Sequence, residues 1–284
     1  MTKKIAIQGI RGAFHHEAAA LYYKSQFDIC ECMTFHHLIE AVEAGDADIG
    51  VMAIENSMVG SMLPNLALIR KSTLHIVGEV YMRISQNLMA LPGESIQTLQ
   101  EVHSHPMAIM QCESFFHNLQ DIRMVESVDT ALSAKEISEN QLKGIGAIAS
   151  EAAAKIYGLD ILAPSIETNK KNYTRFLILG HNGNSIDPAI PVKASVAFVA
   201  PHLPGSLAAV LQPLAEAGVN LSMVQSLPLI GANWEYIFHA DMIFQNIASA
   251  RNIINDLRKK LQATWVMGIY PSSPEIQDNT KMKL

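Results

Sequence analysis

The chain has 284 residues, 49% hydrophobic and 17% charged, with a formal net charge of −6. That is a core-forming globular composition, long enough for about two domains. Lys170-Lys171 and Arg258-Lys259-Lys260 cluster, but basic residues form no run along the chain, so it lacks the cationic face that a nucleic-acid partner requires.

The N-terminal apolar run is too short for a signal peptide, and no apolar run reaches the ~18 residues of a membrane span. Cys30, Cys32 and Cys112 are an odd set without a secretory signal, so reduced thiols in a cytoplasmic protein are expected.

Lys4 to Gln8 reads as a strand, followed by the turn Gly9-Ile10-Arg11-Gly12 and a helix from His15 to Tyr23. Cys30 and Cys32, two positions apart on a strand, point the same way without completing a metal site. Phe35 to Val42 is an amphipathic helix ended by Gly45, and Ile49 to Ile54 is a continuous apolar strand. Ile76 to Val80 and Asn87 to Ala90 are further strands. Gln97 to Val102 leads into His103-Ser104-His105-Pro106, where a helix begins with Pro106 in its first turn. Gly146 to Ala149 is a short strand, and Ser150 caps a helix that runs through Tyr157 and stops at Gly158. Arg175 to Leu179 has the character of a buried strand. This alternation predicts α/β architecture with largely parallel sheets.

The polar stretch from His181 to Pro191 reads as a linker. Beyond it, Ala194 to Val199 is a strand, and a helix runs from Pro204-Gly205-Ser206-Leu207 to near Gly218. Asn220 to Leu227 and Trp234 to Met242 are strands joined by a turn at Gly231-Ala232-Asn233. Ile247 to Leu261 is a helix with Ile253, Ile254, Leu257 and Leu261 on one face, and Thr264 to Ile269 is a closing strand. The order βαββαβ is the ferredoxin-like split arrangement.

Four segments could carry chemistry. The turn Gly9 to Phe14 offers backbone amides and a helix N-terminus to an anion, or is a plain tight βα turn. It lacks the residues of a P-loop and the third glycine of a dinucleotide fingerprint. Asn56 and Ser57 follow a buried strand, where α/β ligand clefts open, or serve as helix caps. His103 and His105 invite a metal, yet no Asp, Glu or Cys at useful spacing completes a site. Thr174 and Arg175 put a hydroxyl and a fixed cation where a loop enters a strand. An arginine there forks onto a carboxylate, or is a surface residue beside a capping threonine. Together these segments suit a small carboxylated ligand, with no metal and no cofactor.

Five motifs in order resemble prephenate dehydratase over nearly the whole chain. They are Gly9 and Gly12; Glu55-Asn56-Ser57 with Gly60; Ser104-His105-Pro106 with Gln111-Cys112; Ala152-Ala153-Ala154 with Tyr157-Gly158-Leu159; and Asn172, Thr174, Arg175, Phe176. The resemblance implies two periplasmic-binding-protein-like lobes over 1–181 with the active site between them, then a βαββαβ ACT regulatory domain over 192–272. It implies conversion of prephenate to phenylpyruvate with Thr174 as catalytic donor. Arg175, Phe176, Asn56, Ser57, Ser104, Gln111 and Gly12 would bind substrate. L-Phenylalanine would bind through Gly205, Leu207, Asn220, Leu221, Gln225 and Ser226, in a homodimer or homotetramer. The family's Glu-Ser-Arg-Pro is here Gln225-Ser226-Leu227-Pro228, which loses both charges, so a purely structural dimerisation role for this domain stays open. Arogenate, the amino counterpart, is the alternative substrate, and a non-catalytic ligand sensor is the alternative class. No helical region precedes Lys3 or follows Leu284, so no fused chorismate mutase is expected.

Overall fold

A computed structural model of the protein describes residues 2–182, 186–229, 236–261 and 263–273. The predicted turn Gly231-Ala232-Asn233, the strand start at Trp234 and linker residues Gly183 to Ser185 lie outside the described residues.

Strand β1 (Lys3–Gln8) leads to helix α1 (Phe14–Tyr23), and β2 (Phe27–Cys32) to α2 (Phe35–Glu43). Then come β3 (Ile49–Asn56), β4 (Gly60–Ser61), α3 (Leu63–Lys71), β5 (His75–Arg83) and β6 (Asn87–Ala90). Strand β7 (Glu101–Ser104) is followed by α4 (Pro106–Gln111), α5 (Glu113–Phe116), β8 (Arg123–Glu126) and α6 (Thr130–Asn140). Next are β9 (Ile145–Ala149), α7 (Glu151–Tyr157), β10 (Asp160–Ala163) and β11 (Tyr173–Gly180). The last stretch is β12 (Val192–Ala200), α8 (Ser206–Glu216), β13 (Asn220–Pro228), β14 (Tyr236–Phe244), α9 (Ile247–Lys260) and β15 (Ala263–Pro271).

These strands form three sheets. The first has the order β2-β1-β3-β11-β5, with β4 on β3, and the second β10-β6-β9-β7-β8. Parallel pairing holds for β1 with β2 and β3, and for β7 with β8 and β9. Strand β6 runs antiparallel to both β9 and β10, so the second sheet is mixed rather than parallel. Ile5, Ile7, Val51 and Ile54 are fully buried, as expected of strands covered on both faces. Helix α2 is capped by Thr34, whose hydroxyl accepts from His37 N, and it buries Leu38, Ile39 and Val42. No helix among the described residues is long and apolar enough to cross a membrane.

The third sheet, β13-β14-β12-β15, is antiparallel throughout. With α8 and α9 it realises the predicted βαββαβ arrangement. Val196, Phe198, Leu214, Met242, Ile254 and Leu257 make its core, with Ile253 and Leu261 packed beside them.

The chain compacts into two units, Met1–Gly60 with Met82–Phe176, and Ser61–Tyr81 with Leu177–Leu284. This grouping differs from the expected segments 1–181 and 192–272, because Ser61–Tyr81 packs with the later residues. Lys193 Nζ lies 3.0 Å from Glu79 Oε1, and Arg70 sits over the Trp265 ring. Gly268 packs so close to the Ile76 carbonyl that a Cβ there would lie 2.2 Å from its oxygen.

A candidate active site around Thr174

Asn56 ends β3 and Thr174 lies in β11, its neighbour in the sheet. Both are buried, Thr174 being 6% exposed. The backbone amides of Met58 and Val59 donate to Asn56 Oδ1 at 2.9 and 3.1 Å. Those two bonds fix which end of the carboxamide is oxygen. Its Nδ2 then donates to Thr174 Oγ1 and to Asn172 Oδ1, each at 2.8 Å. Asn172 Nδ2 continues the chain to Gln111 Oε1 at 2.9 Å. Because Thr174 Oγ1 already accepts from Asn56, its own proton is left to be donated.

Arg175 is 2% exposed, which removes the surface-arginine alternative. Its Nη1 is 3.8 Å from Oε2 of the half-exposed Glu55. That separation is a loose ion pair rather than a bidentate fork. Gln111 and Asn172 also line a cavity of about 280 Å³, together with Met58, Met110, Glu113 and Glu167.

Other predicted residues are engaged elsewhere. Ser57 Oγ donates to Lys171 O and accepts from Tyr173 N, so it ties the end of β3 to the start of β11. Ser104 Oγ, fully buried, donates to Ile148 O at 2.7 Å and retains only acceptor capacity. Phe176 is a core residue, its ring 5.1 Å from and edge-on to His15.

The anion-cradle reading of the Gly9 turn is corrected. Gly9 N donates to Cys32 O, Arg11 N to Glu31, Gly12 N to His16 Nδ1 and Ala13 N to Ile10 O. These amides are already satisfied within the protein. Gly12 has φ +89° and abuts Ala153, whose Cα would lie 2.9 Å from an added Cβ, while Ser150 Oγ donates to Gly12 O. The turn is a close-packed joint with the start of α7. His103 pairs with Glu101, and His105 Nδ1 accepts from Met107 N as the cap of α4.

Buried His15 accepts from Ala53 N, and desolvation pulls its pKa down to about 4, so it is neutral here. Sequence reasoning passed over Gln86 and Glu167. Both are buried, and Glu167 Oε1 takes Arg83 Nη2 at 2.9 Å while its Oε2 takes Gln86 N. Only the extended Asn-x-Thr-Arg-Phe signature hinted at Asn172.

Among the residues predicted for an effector, Gly205 takes φ +83° just before α8, and Leu207 and Leu221 pack against the βαββαβ core. Gln225 Nε2 donates to Ser61 Oγ at 3.0 Å. Asn220 and Ser226 are exposed on β13, at the edge of its sheet. A cavity of about 450 Å³ between α8 and α9 is walled by Val210, Leu214, Ile253 and Leu257, and none of the predicted effector residues lines it.

The family pattern described as prephenate dehydratase matches residues 5–184, the stretch that contains this site. The chain belongs to the prephenate dehydratase family. Members of this family are hydro-lyases, which agrees with the resemblance carried by the five motifs. Arogenate dehydratase 2 of Petunia hybrida is 36% identical, over 96% of this chain and 73% of its own. A solved prephenate dehydratase from Arthrobacter aurescens in complex with L-Phe is 26% identical with a TM-score of 0.85, covering 96% of this chain and 92% of that one. A solved structure described as GqqA, a novel type of quorum quenching acylase, is 31% identical with the same TM-score, over 96% and 99%.

Proposed function

We propose that this member of the prephenate dehydratase family removes carbon dioxide and water from prephenate, with Thr174 as the donor to the departing hydroxyl. The observation that carries the reading is the polarity of the Asn56–Thr174 bond, which makes the threonine a donor toward a ligand. The C–C bond to the ring carboxylate breaks, and its electron pair completes the aromatic ring. The ring C–O bond breaks in concert, and the hydroxyl takes one proton to leave as water. A neutral threonine is a weak acid, so its part is a strengthening hydrogen bond or a relayed proton, of the kind that contributes about 10²–10⁴-fold. Arg175 and the amide of Gln111 hold the oxygens that remain. The ring carboxylate must not be gripped firmly, since its charge disappears in the transition state. A nucleophilic acyl-transfer role would call for a base at the Thr174 hydroxyl, where Asn56 offers a donor instead.

The βαββαβ module serves as an ACT-type regulatory domain for L-phenylalanine, in a homodimer or homotetramer. Gly205, Leu207, Asn220 and Leu221 match the family there, and the L-Phe complex of the Arthrobacter relative supports the effector. The uncharged Gln225-Ser226-Leu227-Pro228 segment weakens the match.

The test is turnover of prephenate by the purified protein, followed as phenylpyruvate, with and without L-phenylalanine and with arogenate in parallel. Metal-independent phenylpyruvate formation, slowed by phenylalanine, is the expected result. Turnover of arogenate alone would reassign the substrate. No product from either would leave a ligand sensor.

A further inference from the structure

The hydrogen-bond chain at the site has a direction, set at one end and met by a second donor at the other. At one end the amides of Met58 and Val59 fix Asn56, which fixes Asn172, which donates to Gln111 Oε1. At the other end Gln86 Nε2 also reaches Gln111 Oε1, at 3.4 Å. Gln86 is 3% exposed and its backbone is clamped on both sides. Its N donates to Glu167 Oε2 at 2.9 Å, and its O accepts from Ile166 N at 2.7 Å. The Glu167 carboxylate is held in turn by Arg83.

The Gln86 carboxamide cannot be turned over in place, because its oxygen would then face the oxygen of Gln111. Its own Oε1 is buried and has no hydrogen-bond partner. Evidently the side chain is held for what its NH₂ does. With two donors on Gln111 Oε1, the part of Gln111 that remains for a ligand is its NH₂ group. An NH₂ group binds acceptors, such as the carboxylate or keto oxygens of the proposed substrate.

We infer that Gln86 is a positioning residue, whose NH₂ is a second donor that reinforces the polarity Asn172 sets on Gln111, so that the site presents an amide donor to substrate oxygens. This rests on reading the site as that of a dehydratase.

The test compares Gln86→Glu, Gln86→Met and Gln86→His in the full chain, with KM and kcat for prephenate measured from pH 5.5 to 8.5. Melting temperatures confirm folding. Once ionised, the introduced carboxyl opposes Gln111 Oε1 and favours the reversed amide. KM of Gln86→Glu is therefore expected to rise about tenfold or more at high pH, with kcat less affected. It should recover toward the wild-type value as that carboxyl takes up a proton and becomes a donor. Gln86→Met should raise KM at every pH, whereas Gln86→His, which keeps an N–H, should stay within about threefold of wild type. A Gln86→Glu profile parallel to wild type overturns the inference. If Gln86→Glu does not fold, equal KM values for Gln86→Met and Gln86→His overturn it instead. Wild-type protein silent on both prephenate and arogenate overturns the reading of the site, and this inference with it.

Discussion

Each compact unit buries a polar cluster, and the two clusters are built on opposite principles. Around Thr174 the groups are mostly neutral carboxamides and a hydroxyl, joined in one direction, with a proton on Thr174 left to give. Around Lys193 the groups are ionic and closed on one another. Lys193 is fully buried, with Nζ 3.0 Å from Glu79 Oε1 and 3.1 Å from the Tyr81 hydroxyl. Nearby, Ser195 Oγ donates to Asp241 Oδ1 at 2.5 Å and lies 2.7 Å from the Tyr270 hydroxyl. Burial and charge alone therefore do not mark a site. What separates the first cluster is hydrogen-bonding capacity that the protein has arranged but not consumed.

The largest effect should come from breaking the closed cluster. Lys193→Met leaves the Glu79 charge buried without its cation and should cost about 3–5 kcal/mol of stability. Adding Glu79→Leu should recover much of that loss, because a well-packed apolar pair is often as stable as a buried ionic one. Thermal or urea denaturation reads both, and a Lys193→Met protein that melts like wild type would show that the pair adds nothing. Thr174→Val should do the reverse. Stability should hold while turnover of prephenate falls by about 10²-fold or more. Near-normal turnover would remove Thr174 as the donor.

Arg175→Ala should be milder and should act on binding. Loss of charge-assisted bonds to a substrate carboxylate should weaken binding by about 1.5–3 kcal/mol, read as a rise in KM with a smaller change in kcat. An unchanged KM would make Arg175 a structural partner of Glu55.

How legible each cluster was in the sequence follows from how local its causes are. Strand β6 was read to the residue and β3 nearly so, because continuous apolar runs announce buried strands. Helices α3 and α6 were passed over. The buried face of α3 is only Asn65, Leu66 and Ile69, and that of α6 mixes Thr130 and Ser133 with two alanines and Ile137, so neither shows a strong apolar period. Thr174, Asn56 and Gln111 were legible because they sit at strand and helix ends with recognisable neighbours. Gln86 was not, since its role is made by Gln111 and Glu167, 25 and 81 residues away. The amide cradle at Gly9 to Ala13 misled for the same reason. Its donors are taken by Cys32 and Glu31 on β2, and by His16 and Ile10 close by, which no local motif reveals. The Lys193–Glu79 pair joins residues 114 apart and left no trace in the sequence pattern.

The smallest effect near neutral pH concerns two buried histidines, one in each unit. His15 and His239 both have pKa values lowered from 6.5 to about 4, chiefly by desolvation. For His239 the Arg70 cation adds to the lowering, and Asp241 opposes it. Both rings are therefore neutral in the folded protein, and neither ring nitrogen of fully buried His239 has a hydrogen-bond partner. Well above pH 6.5 the folded and unfolded chains carry the same charge at these positions, so neither histidine affects stability there. As the pH falls toward and through 6.5 the unfolded chain takes up protons first, and stability is lost progressively until about pH 4, where the folded rings protonate as well. Between pH 7.5 and 6.5 the change should be slight, about 0.3–0.4 kcal/mol for each histidine. His239→Phe removes one of the two linked protons and the unpaired nitrogens together. Its denaturation midpoint should match or exceed that of wild type at pH 7.5 and fall less steeply toward pH 5. An acid limb as steep as that of wild type would mean that the His239 ring is protonated in the folded protein, and that Asp241 outweighs Arg70 and burial.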